Sequence, residues 1–198
     1  MTAPVFHDEL VAKCKLGDRQ SYSALYARYA QPMYNTSLRI VNNRFDAEDV
    51  LQEAFTSAFQ YLGDFDYSST FGAWLKRIVV NRSIDLLRRR KALIVDIEAI
   101  EKYAEPNEEP EEDTSQWKIE QVKRSVGGLP TGYRTVITLH LFEGYEYDEI
   151  AVMMGISVTT VRTQYHRARK KLLEMIKKEI ENEGEPETLH PGKSRGLR

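Results

Sequence analysis

Apolar residues recur at three- and four-residue intervals along most of this chain, and no convincing run alternates apolar with polar as a half-buried strand would. The pattern therefore predicts helices. A short one covers residues 10–16. A long one covers 21–41, where Leu25, Tyr29, Met33, Tyr34, Leu38 and Val41 share a stripe and Pro32 is expected to bend or interrupt it. Asp46, with Asp49 three residues on, reads as the N-cap of the next helix. That helix continues through Val50, Leu51, Ala54, Phe55, Ala58, Phe59 and Leu62. A polar loop with aromatics in it, GDFDYSST, fills 63–70. Helix resumes over 71–91, with Phe71, Trp74, Leu75, Ile78 and Val79 as the buried stripe and Arg88, Arg89, Arg90 and Lys91 at its end.

Past that point the pattern lapses. Residues 104–115, AEPNEEPEEDTS, hold too little apolar surface to fold alone. Periodicity returns in a helix over 116–126, broken by Gly127 and Gly128. A further helix opens at Pro130 and runs to Phe142. Gly144 separates it from a final helical unit that extends to about residue 180, and a polar tail follows from Asn182. The expected fold class is all-α: two small helical domains, residues 1–92 and 116–181, an acidic linker at 93–115, and a disordered tail at 182–198.

Charge sharpens this division. The 198 residues carry a net charge of −2, but residues 1–91 hold 13 basic and 10 acidic groups, 93–117 hold 1 and 9, and 118–178 hold 11 and 6. Two basic bodies flank an acidic segment, which suits an anionic partner that repels the linker. The single cysteine, Cys14, excludes an internal disulfide and favours a reducing compartment. No apolar run approaches membrane-spanning length and the N-terminus lacks a secretory pattern, so a cytoplasmic location without membrane insertion is expected.

Residues 147–169, YDEIAVMMGISVTTVRTQYHRAR, read as two helices joined by a tight turn. Ile150, Ala151, Met154, Ile156, Val158 and Val161 supply the contacts between them. Ala151 is small where the helices approach, Gly155 can end the first in the left-handed region, and Ser157 can cap the second. The second helix offers Thr159, Thr160, Arg162, Thr163, Gln164, His166, Arg167 and Arg169 as donors and acceptors for phosphates and base edges. A helix-turn-helix places such a helix in the major groove of DNA.

This unit, the helix at 130–143 before it and the block 46–91 together resemble the bacterial extracytoplasmic-function (group 4) sigma factors. DAEDVLQEAFTSAF at 46–59 is similar to the family's core-polymerase-binding segment. FGAWLKRIVVNRSIDLLRRRK at 71–91 resembles its promoter −10 segment, and residues 129–172 resemble its −35 domain. The resemblance covers about three-quarters of the chain, with two independent motifs in the right order. It implies a non-enzymatic subunit that binds core RNA polymerase, through the largest-subunit clamp helices and the β flap, and also binds promoter DNA. An anti-sigma factor or another recruiting protein is a further partner of that kind. Asp46, Glu48, Asp49, Gln52 and Glu53 become the core-binding set. Phe65, Tyr67, Ser69, Arg77, Asn81, Arg82, Arg88 and Arg89 become the −10 and single-strand set. Thr160, Arg162, Thr163, His166, Arg167 and Arg169 become the −35 set. No cofactor is expected: the four histidines are far apart, none has a metal-ligand partner at sensible spacing, and no phosphate-cradling glycine loop is present.

Two other readings stay open on sequence alone. One is a helix-turn-helix regulator acting without core polymerase, against which the 46–91 block argues. The other is a sigma-like interaction module, against which the retained Arg162, Arg167 and Arg169 argue.

Overall fold

The computed structural model describes residues 8–90 and 119–184. The expected acidic linker, the start of the helix at 116 and all but the first three residues of the expected tail lie outside them. Every regular element among the described residues is helical. The order is α1 (Glu9–Lys15), α2 (Arg19–Val41), α3 (Arg44–Gln60), a 3₁₀ turn (Leu62–Asp64), α4 (Phe71–Arg89), α5 (Ile119–Gly127), α6 (Thr131–Ile137), a π-helical turn (Thr138–Phe142), α7 (Tyr147–Met154) and α8 (Val158–Gly184).

Local chemistry explains most boundaries. Asp8 caps α1 through the Leu10 N–H, and Asp18 caps α2 through the amides of Gln20 and Ser21. α2 runs past Pro32 without the interruption that was one of the two expected effects of the proline, a bend being the other. Pro32 is exposed, so the hydrogen bond that its ring removes is lost where water has access. Asn42 ends α2 in the left-handed region at φ 55°. The cap of α3 is also corrected. Asn43, not Asp46, accepts from the Phe45 and Asp46 amides, so α3 starts earlier and Asp46 lies inside its first turn.

Three apolar clusters organise the described residues. The first joins α1 to α4 around Val11, Leu25, Phe55, Phe71, Leu75 and Val79. Cys14 is buried in it, and burial raises its thiol pKa, as suits a packed rather than a reactive group. Another joins α5, α6 and α8 around Val126, Leu129, Ile137, Ala168, Leu172 and Ile176. The third is shared by both halves: Ile40, Val41, Val80, Ile84 and Leu87 meet Val136, Leu139, Ile150, Met154 and Val161. Sequence patterning placed each stripe on its helix but did not anticipate a core common to the two expected domains.

Polar contacts frame that common core. The Glu143 side chain is only 4% exposed; Arg39 Nη2 stands 2.5 Å from Oε1 and Lys76 Nζ 3.7 Å from Oε2. Lys76 also donates to the Glu143 carbonyl at 3.0 Å. Arg88 donates to the Met153 carbonyl at 2.7 Å, and Asn42 donates to that of Gly127 at 3.1 Å. The π-helical turn brings Glu143 to this place; its amide donates back to the Thr138 carbonyl at 3.1 Å.

Glu143→Ala leaves Arg39 and Lys76 without their shared carboxylate. We expect a loss of about 1–3 kcal/mol in unfolding free energy, and a larger radius of gyration by small-angle scattering. An unaltered melting curve and an unaltered scattering profile would refute a stabilising role for this contact.

Candidate polymerase and nucleic-acid interfaces

α3 presents its charge in two ways. Glu48, Asp49, Gln52 and Glu53 are exposed, because the opposite face of the same helix buries Val50, Leu51, Ala54, Phe55 and Ala58. Asp46 departs from the expected exposed set: it is buried, and Arg90 Nη1 and Nη2 engage both of its oxygens. A second acid of α3 also faces α4. Glu53 Oε2 lies 3.7 Å from Arg82 Nη1, while Arg82 Nη2 donates to Ser57 Oγ at 2.9 Å. Gln52, Glu53, Thr56, Ser57, Arg82 and Arg89 line one open groove between the two helices. The structure thus joins residues that the sequence had assigned to different partners, polymerase and DNA.

The loop after α3 begins with the 3₁₀ turn. Phe65 then turns inward and is 2% exposed, with ring centroids 5.2 Å from Trp74 and 6.0 Å from Phe71. It closes the core, so its ring is not open to an unpaired base, as its place in the expected −10 and single-strand set required. Trp74 joins the same aromatic cluster, as its apolar stripe implied. Tyr67 is the partly exposed ring of the loop and adopts φ 60°. Asp66 accepts from the Ser68 N–H at 2.9 Å. Hydrogen bonds from Ser68 hold its carboxyl below the usual range. Ser69 is half-buried, and Thr70 caps α4 through the Ala73 amide. Along α4, Arg77, Asn81, Arg88 and Arg89 are exposed and Arg82 is half-buried. Arg88 is committed to Met153 at the end of α7, a contact that its sequence position did not reveal.

The helix-turn-helix has the anticipated local geometry. Gly155 closes α7 at φ 66°, and Ser157 Oγ accepts from the Thr160 amide at 3.1 Å. A capping box at the start of α7 pairs the Glu146 amide with Glu149 Oε2 at 2.9 Å. Thr159 and Arg162 are exposed; Thr160, Thr163, His166, Arg167 and Arg169 are half-buried. Gln164 is different. It lies between Val161 and Ala168 on the inward stripe of α8, is 0% exposed, and neither amide atom has a partner. It cannot reach a base from there. Beside it, the rings of His140, Tyr147 and Tyr165 meet in tilted and edge-to-face pairs at centroid distances of 4.6–5.6 Å. The Tyr147 hydroxyl pKa is raised, chiefly by burial and next by Tyr165.

The chain is similar to known proteins. Residues 25–93 match the family described as Sigma-70 region 2, and residues 119–172 match Sigma-70, region 4. The chain is 33% identical over 172 residues to the RNA polymerase sigma-H factor of Pseudomonas aeruginosa, across 82% of this chain and 89% of that protein. It is 34% identical over 173 residues to the extracytoplasmic-function sigma-E factor of Escherichia coli K12, across 81% and 89%. Among solved structures, the chain is similar to CnrH in complex with the cytosolic domain of CnrY. Identity there is 29%, the TM-score is 0.51, and 85% of this chain and 96% of that one are covered.

Replacing Gln164 by Met removes a buried amide without partners while keeping its length. We expect stabilisation of about 1 kcal/mol, roughly 2–4 °C in Tm, with DNA affinity unchanged. A clear loss of DNA binding by Gln164→Met would place the side chain at the duplex after all.

Proposed function

The chain belongs to the extracytoplasmic-function sigma factors, and from that premise we propose that it directs core RNA polymerase to its promoters by reading −35 and −10 elements and helping to melt the DNA. As a member of that family it is a transcription initiation factor without catalytic chemistry of its own. The observation that carries the proposal is the pairing, on one chain, of an exposed acidic face on α3 with a capped helix-turn-helix whose Arg162 and Thr159 point outward.

In this reading Glu48, Asp49, Gln52 and Glu53 dock on the clamp helices of the polymerase largest subunit, and α8 enters the major groove at −35. Arg162, Thr163 and His166 read base edges there, while Arg167 and Arg169 neutralise phosphates. Downstream, a base that leaves the stack costs a few kcal/mol, which a protein pocket must offset. Stacking on one aromatic ring contributes about 1–3 kcal/mol. Tyr67 takes that role in place of Phe65, because only Tyr67 is accessible. Ser69 and Asn81 supply polar groups, and Arg77, Arg82, Arg88 and Arg89 follow the backbone. Arg88 Nη2 already donates to the Met153 carbonyl, so its remaining N–H groups are the ones left for a phosphate.

In this reading the protein works in the cytoplasm, beside core polymerase; no helix among the described residues is long and apolar enough to cross a membrane. The solved structure of CnrH is of its complex with the cytosolic domain of CnrY. A protein of that kind is the natural inhibitor to seek for this chain.

Run-off transcription with purified core polymerase and a genomic fragment library tests the proposal directly. Specific transcripts that require this chain are expected. Their absence, with intact binding to duplex DNA, would instead support a regulator acting without core polymerase.

Two finer expectations accompany it. Asp49→Lys with Glu53→Lys reverses the α3 face, and retention on immobilised core polymerase should fall at least about tenfold, the effect of losing roughly 1.4 kcal/mol, with circular dichroism unchanged. Undiminished retention would remove α3 from the polymerase interface. Tyr67→Ala with Asn81→Ala should reduce permanganate reactivity of the melted region more than it reduces binding to closed duplex, because the contacts form only after the base leaves the stack. Equal losses on duplex and on pre-melted DNA would count against the pocket.

A further inference from the structure

One cation outside every surface described so far reaches the loop between α3 and α4. Lys15, in the last turn of α1, is 50 residues from Phe65 in sequence, yet its Nζ donates to the Phe65 carbonyl at 2.5 Å and to the Gly63 carbonyl at 3.4 Å. The same ammonium sits 4.7 Å from the centroid of the Tyr67 ring and 5.9 Å from that of Phe65. The root of this side chain is anchored. Val11 and Cys14 of α1 are buried in the first apolar cluster, and the Tyr22 hydroxyl donates to the Cys14 carbonyl at 3.0 Å.

The loop needs such a tie. Its amides at Asp64 and Phe65 donate to the Tyr61 and Leu62 carbonyls within the 3₁₀ turn, while the Gly63 and Phe65 carbonyls accept from Lys15. Tyr67, two residues on, holds a left-handed backbone conformation that residues with a Cβ rarely adopt. A cation over an aromatic ring is attracted by the quadrupole of the ring, and a charged donor strengthens a hydrogen bond to a carbonyl. Both act on neighbouring atoms of one short segment, and both come from one ammonium.

We infer that Lys15 is a positioning residue for single-strand capture: it fixes the 63–67 loop and presents the Tyr67 ring in the orientation that an unstacked base meets. This rests on the assignment of Tyr67 to strand capture made above. Lys15 acts through Tyr67 and does not itself hold the DNA. Preorganisation of this sort lowers the cost of ordering the loop when the strand arrives.

The test uses the full chain assembled with core polymerase, on a promoter fragment obtained from the run-off library. The fragment is prepared as a closed duplex and as a copy with mismatched, pre-melted bases at the −10 region. Lys15→Met, which keeps the apolar stem, should weaken binding to the pre-melted copy about fivefold, the scale of one exposed cation–π contact plus one hydrogen bond. Lys15→Arg should restore most of that affinity. Tyr67→Ala should weaken binding too, and adding Lys15→Met to it should cost little more, because both changes remove one coupled unit. The salt dependence of Lys15→Met should match that of the wild type.

Three results would overturn the inference alone, each with Tyr67→Ala still impaired: Lys15→Met binding the pre-melted copy like the wild type, full additivity of the two changes, or a salt slope lower by about one unit, which marks a direct phosphate contact. If Tyr67→Ala binds the pre-melted copy normally, the loop is not the capture site, and both the inference and the −10 assignment of this loop fall.

Discussion

The packing of α4 is the constraint on which the rest of the structure depends. A helix repeats every 3.6 residues, so its apolar stripe drifts slowly around the axis. α4 uses that drift to serve two cores. Phe71, Leu75 and Val79 bury into the first cluster with α2 and α3, and Val80, Ile84 and Leu87 bury into the cluster shared with α6 and α7. Fully burying a side chain of this size contributes about 1.5–3 kcal/mol, so both halves of the helix are held firmly. What is left for solvent follows by exclusion: Arg77, Asn81, Arg88 and Arg89 lie on the remaining surface. The cations are accessible because the apolar residues between them are not.

Charge is distributed around this helix in a way that favours exchange of partners. Arg82 meets Glu53, which is 56% exposed, and Arg90 meets the buried Asp46. An exposed ion pair is worth little in water, so the Arg82–Glu53 contact holds its groups near one another without committing them. The Asp46–Arg90 pair is bidentate, and its acid is shielded, which makes it a structural element of the α3–α4 junction. Glu143 stands at the other extreme. It is shielded from water and attended by two cations from the opposite half of the chain, so it couples the position of the helix-turn-helix to α2 and α4.

Much of the architecture was legible in the sequence. Helical periodicity located the elements, Gly155 and Ser157 marked the turn, and two spaced motifs pointed to the family. These are local properties: a glycine that tolerates positive φ, a hydroxyl within reach of an amide three residues on, an apolar stripe at helical spacing. Each follows from neighbours in the chain. The acidic face of α3 was legible for the same reason, since its exposed members are the residues left over once the buried stripe is assigned.

What only the tertiary structure decided concerns side chains whose neighbours are distant in sequence. Asp46 has the local pattern of a cap, but Asn43 takes the cap and Arg90 takes Asp46. Phe65 and Tyr67 look alike in a polar loop, and packing against Phe71 and Trp74 buries only the first. Gln164 reads as a reader of DNA among polar neighbours, but its place between Val161 and Ala168 turns it inward. The core shared between the two halves, and the reach of Lys15 across 50 residues, have no local signature at all. The sequence by itself determined which residues form helices and which faces are apolar, because those depend on period and propensity. Which apolar faces meet, and which polar groups are consumed where they meet, depended on the three-dimensional path of the chain.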